Sequence, residues 1–384
     1  MSVPAGTAPE TGNVSTLELF FDLVFVFTVT QVTQVIDLHP DPAGIAQAIL
    51  ILAILFWMYG GFAWLTNAMG TEGTLQRLIV LAGMAALFVC SQAIPQAFGE
   101  AGIVLGIGFL LLTLVHLAGF LWLQGPREDV SIRLVAPVNL TGALMVLAAG
   151  WVTGAGDWIL FGGAALLFAS SHLRPSGHRL AVRPGNFAER HGLMIIIVLG
   201  ESIISVALAA QTQALDIPLI TGGLLGVAAI AAMWWAYFVG DDDLAAKHFA
   251  AASGPRQSWM ARIGYDISHL LMIIGIIGVA AGIRLDLGQL SSPAPVVSAW
   301  LVGGGVAVYL GATGLFRWAL QIGPARVRLI AAAGCLGTVP VGVGLGTAQQ
   351  LGAVAAITVV AIAAGRRRRR TTAGTPGRPR GVVP

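Results

Sequence analysis

Leu17-Glu18-Leu19-Phe20-Phe21-Asp22-Leu23-Val24-Phe25-Val26-Phe27 is hydrophobic at every position except two, and both exceptions are acidic. The apolar run continues to about residue 37, reaching the roughly 20 residues an α-helix needs to cross about 30 Å of hydrocarbon. Similar runs follow almost end to end. Pro, Gly and charge breaks divide them into twelve expected helices, near 17–37, 43–67, 77–97, 101–123, 132–153, 157–173, 190–212, 218–239, 260–283, 296–317, 326–346 and 349–364. The sixth and twelfth are the shortest. The expected fold is therefore all-α, a polytopic bundle of about 12 transmembrane helices over residues 17–364. A short lead, 1–16, precedes it, and a basic tail, 365–384, expected to be disordered, follows.

Composition agrees. The 384 residues are 56% hydrophobic and 10% charged, with a mean hydropathy of +0.83, whereas a soluble domain carries about a quarter charged residues. The net charge of +3 comes largely from the run Arg366 to Arg370. Directly after a membrane helix, that run is expected to hold anionic lipid headgroups, at about 1 kcal/mol per residue, and not nucleic acid. Cys90 and Cys335 fall inside apolar spans, so neither a disulfide framework nor a metal cluster follows from them. The first sixteen residues lack Lys and Arg, and the stretch after them is too long and too acidic for a cleaved signal peptide. It reads as the first membrane helix.

Positive charge sets the orientation, because cytoplasmic loops accumulate it. Arg77, Arg127, Arg133, Arg174, Arg179, Arg183, Arg190, Lys247, Arg256, Arg262, Arg317, Arg326, Arg328 and the tail arginines fall on one side of the twelve spans; Arg284 alone falls opposite. Both termini are then expected in the cytoplasm, with the chain in a bacterial inner membrane. Trp64, Trp122, Trp151, Trp158, Trp259, Trp300 and Trp318 stand at helix ends, where amphipathic rings meet the headgroups. Small-residue pairs such as Gly102 with Gly106 and Gly278 with Gly282 predict close helix approach. Glu18, Trp57, Tyr59 and Arg77 are echoed in order by Glu189, Trp235, Tyr237 and Arg262. The echo suggests parallel halves, 17–173 and 190–364, as in some transporters.

Charges inside a span cost about 2.5–3.5 kcal/mol each and need a reason. Glu18 and Asp22, four residues apart, share one face of the first helix. Glu18 also reads as a helix-start residue favoured by the dipole. The seventh helix carries Glu189, Arg190 and, about 18 Å deeper, Glu201, with Ser205 one turn beyond. Glu201 reads as an ion or proton site, or as a protonated, hydrogen-bonded bundle residue. In the ninth helix, Arg262, Asp266 and His269 share a face, and Arg262 with Asp266 is expected to form an ion pair. These nine residues are the candidate polar pathway. His116, Gln92, Gln96 and Asn139 read as interhelical glue, with Pro95 and Pro137 as kinks. Asp241-Asp242-Asp243 reads as solvated loop. Walker loops, zinc-spaced His/Cys clusters, nucleophile elbows and nucleotide-binding glycine fingerprints are absent, so no cofactor is expected and the familiar enzyme signatures give no activity.

Glu18 to Phe27, the stretch Ala188-Glu189-Arg190-His191-Gly192-Leu193, and Leu199-Gly200-Glu201-Ser202-Ile203 resemble the bacterial low temperature requirement A (LtrA) family. Tyr265 and His269-Leu270 are similar to a third, weaker pattern of that family. The resemblance covers about residues 15–365 and implies a multi-pass membrane protein needed for growth in the cold, without naming a substrate. His191 departs from it, standing where similar sequences often have an aromatic residue. The Phe-Phe-Asp opening is also faintly similar to the Phe-Ser-Asp opening of certain potassium-channel helices. The function expected is a secondary transporter or ion-coupled permease for a small solute or ion. The alternatives are a cation channel and a non-transporting membrane component, either a lipid-handling enzyme or a scaffold.

Overall fold

The computed structural model describes residues 14–124, 131–173, 183–211, 213–238, 240–290 and 292–373, and among these it is helical with no strand. The helices are α1 (Thr16–Leu38), α2 (Pro42–Met69), α3 (Thr74–Ala93), α4 (Gly102–Gln124), α5 (Ser131–Ala149), α6 (Ala155–Leu173), α7 (Pro184–Ala210), α8 (Ile217–Phe238), α9 (Asp241–Ala251), α10 (Gly254–Trp259), α11 (Ser268–Leu285), α12 (Val296–Ala319), α13 (Arg326–Leu336), α14 (Val339–Leu345) and α15 (Thr347–Ala373). Ten apolar helical stretches among the described residues are long enough to cross a membrane, and the shorter Val135–Ala149 and Ala155–Ser171 occupy the fifth and sixth expected places. Large apolar side chains cover the outside, among them Leu23, Ile159, Leu166, Ile204, Leu224, Ile330 and Val360. Such a surface would aggregate in water and is at home in lipid.

Local chemistry fixes the helix ends. Ser15 caps α1 through a reciprocal box: its hydroxyl accepts from the Glu18 amide at 3.2 Å, and Glu18 Oε2 accepts from the Ser15 amide at 2.8 Å. Pro184 opens α7 within its first turn, where a missing N–H costs nothing. Asn67, near the end of α2, then splints that start: its Oδ1 accepts from the Arg183 amide at 2.7 Å, and its Nδ2 donates to Asn186 Oδ1 at 2.9 Å.

A close helix contact joins α11 to α12. A Cβ on Gly275 would lie 2.6 Å from the Gly305 carbonyl, and one on Gly305 would lie 2.7 Å from the Gly275 carbonyl, so only glycine fits at either position. Gly278 and Gly282 continue the same seam, against Leu301 and Val302. This is small-residue packing of the kind the sequence predicts.

Three boundaries differ from expectation. The expected eleventh helix, 326–346, breaks into α13 and α14 at Gly337-Thr338. Pro340 opens the second piece and Thr338 Oγ1 donates to the Cys335 carbonyl at 2.6 Å, while Gln350 of α15 donates to the Ala299 carbonyl and to Thr338 across the break. The ninth begins earlier, as α10, and passes through a π-helical stretch, Met260–Ile267, before α11. At the other end, α15 runs on to Ala373, so the arginine run continues a helix where a disordered tail was expected to begin at 365. Residues 374–384 lie outside the described residues.

Candidate functional site

At about 100° per residue, Glu18, Asp22, Thr30 and Asp37 fall within an arc of about 120° on α1. Asn186, Arg190, Glu201 and Ser205 fall within about 100° on α7 by the same count. These two stripes face each other. Asp22 meets Arg190, and eight residues on, Thr30 meets Glu201, eleven residues beyond Arg190. Both pairings advance together, so α1 and α7 run in the same direction.

The first cluster is buried. Arg190 donates from Nε at 3.0 Å and from Nη2 at 2.8 Å to Oδ1 of Asp22, and from Nη1 to Thr66 Oγ1 at 2.7 Å. Tyr59 donates its hydroxyl to the same Asp22 oxygen at 3.0 Å, and the rings of Phe21 and Tyr59 flank the guanidinium, 5.6 and 5.4 Å from their centroids. Glu18 lies 3.9 Å from Arg190 Nη1 through Oε1, while its Oε2 accepts from Asn186 at 3.3 Å. Glu18, Asp22 and Arg190 are each at most 2% exposed. Two carboxylates thus share one guanidinium, and Glu18 Oε1 and Asp22 Oδ2 have no hydrogen-bond partner among the described residues. Orphaned acceptors of this kind are costly and call for a ligand or a proton.

The second cluster lies about 16 Å along α7. Thr30 donates to Glu201 Oε1 at 2.9 Å, and Glu201 Oε2 is buried without a partner. Arg284, at the end of α11, pairs with Asp37 and donates to Ser205 Oγ at 2.6 Å. The one arginine that the charge count left on the wrong side thereby finds its partner on α1.

Beside the first cluster, Asp266 takes His191 Nε2 at 3.3 Å and Trp64 Nε1 at 3.4 Å, and His191 Nδ1 lies 2.8 Å from the Phe187 carbonyl. His269 meets Tyr237 at 3.0 Å, with its ring centroid 5.0 Å from that of His191. The π-helical stretch between α10 and α11 gathers these groups by changing the register before His269. Arg262 is half-buried and donates from Nε to the Ser258 carbonyl at 3.3 Å.

Of the nine candidates, Glu18, Asp22 and Arg190 form one cluster, Glu201 and Ser205 belong to a second, and Asp266 and His269 sit around His191. Glu189 does not join them. It is exposed, and its Oε2 accepts the Val14 amide at 3.2 Å. Sequence reasoning missed Asp37, Arg284, Tyr59, Thr66, Asn186 and His191 as members of the site. A stripe count on α1 would have found Asp37, and the charge count had already set Arg284 apart; the partners from α2 have no such signal. Asn139 joins Trp57 at 2.8 Å and His116 at 3.5 Å, as glue.

The reading of Asp241 to Asp243 as solvated loop needs correction at Asp241, while Asp243 is exposed. Asp241 is 4% exposed and opens α9, held by Arg317 Nη1 at 2.6 Å to each oxygen and by Arg328 Nη2 at 3.6 Å. An arginine pair one helix away in space, not the local sequence, buries it.

A cavity of about 530 Å³ opens between the α1–α2 turn and the α3–α4 connection, lined by Val35, His39, Asp41, Gln47, Gln96 and Glu100 among others. It includes none of the carboxylates of either cluster. No group of three or more His, Cys, Asp or Glu side chains among the described residues is placed to hold a metal ion.

Comparison with known proteins agrees with the sequence resemblance. An uncharacterized protein, RA0937, of Rhizobium meliloti (strain 1021) is 25% identical over 290 residues, covering 71% of this chain and 69% of that protein. Residues 13–363 match the family described as bacterial low temperature requirement A protein. With the match running nearly end to end through a bundle of apolar helices, the chain is a membrane protein that belongs to the LtrA family.

Proposed function

We propose that the seam between α1, α7 and α11 is the polar pathway of a secondary transporter or ion-coupled permease for a small solute or ion. Halves 17–173 and 190–364 form a parallel repeat whose first helices, α1 and α7, enclose the pathway. Both termini face the cytoplasm of a bacterial inner membrane, and Arg366 to Arg370 hold anionic lipid there. One observation carries the reading: three buried carboxylate oxygens, Glu18 Oε1, Asp22 Oδ2 and Glu201 Oε2, lack hydrogen-bond partners among the described residues at two depths of one seam. Each is an acceptor for a proton or a monovalent cation. Arg190 and Arg284 keep the stations from holding two bare negative charges. Asp266, His191 and His269 form a polar side branch beside the first station.

Flux of protons or cations into proteoliposomes, compared among wild type, Asp22→Asn and Glu201→Gln, tests this. Folded variants with reduced flux and impaired growth are expected. Variants that support wild-type flux and growth would end the proposal. Single-channel currents would assign the same residues to a channel.

The position of the 530 Å³ cavity favours a second reading, a non-transporting component that handles lipid or scaffolds the membrane in the cold, because its occupant would not meet the seam. A changed lipid composition on deletion, with flux unaffected, supports that alternative.

A further inference from the structure

We propose that Arg317 and Arg328 form a binding site for a phosphate group, at the end of the bundle where α8 and α12 finish and α13 begins. Asp241 sits between the two guanidiniums, and one carboxylate neutralises only one of them. Both arginines are 6% exposed, and both retain a buried N–H without a hydrogen-bond acceptor among the described residues, Nε of Arg317 and Nη1 of Arg328. Arg317 Nη1 is committed to Asp241 at 2.6 Å and Arg328 Nη2 to the Ala236 carbonyl at 2.7 Å. A buried excess positive charge with spare donors is costly until an anion arrives.

The turn after α12 packs its backbone against Arg317. Gln321 has φ of 56° and Gly323 has φ of 146°, and a Cβ on Gly323 would strike the Arg317 guanidinium. A side chain there would crowd the Nε and Nη2 edge of Arg317, the fork that binds phosphate oxygens in pairs. Trp259 and Trp318 pack edge to face at 5.3 Å on the same end, and Trp318 is exposed, as expected at headgroup depth. The phosphate can be that of an anionic lipid or a free ion, and the chemistry of recognition is the same.

The test is thermal unfolding of the purified full chain in two arms. In detergent, inorganic phosphate is titrated against chloride at equal ionic strength. In nanodiscs, phosphatidylcholine is compared with and without phosphatidylglycerol. A saturable rise in Tm in either arm, reduced or lost in Arg328→Gln, is expected. A rise with phosphate alone assigns the site to a free anion; a rise with phosphatidylglycerol alone assigns it to lipid. Because the arginine run is intact in the variant, an equal rise in wild type and Arg328→Gln overturns the proposal. So does the absence of any rise in wild type, which needs no variant to fold. Should Arg328→Gln not fold, Arg328→Lys keeps the charge and loses the fork, and a wild-type response from it also overturns the site.

Discussion

Two buried ion clusters in this molecule have opposite imbalance. Around Arg190, two carboxylates, Glu18 and Asp22, share one guanidinium, and the spare atoms are acceptors. Around Asp241, two guanidiniums, Arg317 and Arg328, share one carboxylate, and the spare atoms are donors. The sign of the unmatched charge separates a place for a proton or cation from a place for an anion. The difference also explains why burial alone says little about function: both clusters are buried, yet they present opposite chemistry.

Removing the minority charge should hurt the first cluster most. Arg190→Met leaves two buried carboxylates without a cation and should cost about 3–5 kcal/mol, read as loss of monodisperse protein or a large drop in Tm. Arg190→Lys should rescue little, since one ammonium cannot reproduce the donors now shared between Asp22 and Thr66. In the second cluster, Arg317→Met removes one of two cations and leaves Arg328 beside Asp241, so about 2–3 kcal/mol is expected, below the upper range for an orphaned buried charge. Equal losses in the two clusters would break the comparison. Tyr59→Phe deletes one hydrogen bond to the Asp22 carboxyl group and should cost about 1 kcal/mol, measurable by scanning fluorimetry.

An acid held by a hydroxyl sharpens the contrast at a smaller scale. Asp286, beyond the end of α11, accepts from Thr347 at 2.5 Å, and burial pushes its carboxyl above the usual range despite that bond. The protonated form is therefore favoured by folding. Its stabilising contribution is present below the unfolded carboxyl pKa and is lost as pH rises through the higher folded value. Asp286→Asn should flatten that part of the Tm against pH curve, and an unchanged slope would refute the assignment. The smallest effect belongs to Glu189→Gln, on an exposed side chain, which should leave both Tm and flux unchanged.

Asp22 and Glu201 were legible because a carboxylate within an apolar run is conspicuous whatever surrounds it. Glu189, adjacent to Arg190 in the chain, was equally conspicuous and falls on the wrong side of α7, since one residue turns the helix by about 100°. Asp241 was misread for the converse reason: three consecutive acids look solvated until Arg317 and Arg328 are brought to them from elsewhere in the chain. His191 stood out only as a departure from the family pattern, and its partners Asp266 and His269 lie within and just beyond a π-helical stretch that has no clear sequence signature.

What the sequence determined by itself is the solvent and the architecture, because some 20 apolar residues in succession leave a backbone no option but to satisfy its own hydrogen bonds as a helix in lipid. Which charges meet was decided only by tertiary structure. Pairing depends on helix rotation and on neighbours more than a hundred residues apart, as in Asp22 with Arg190, and hydropathy contains no record of either.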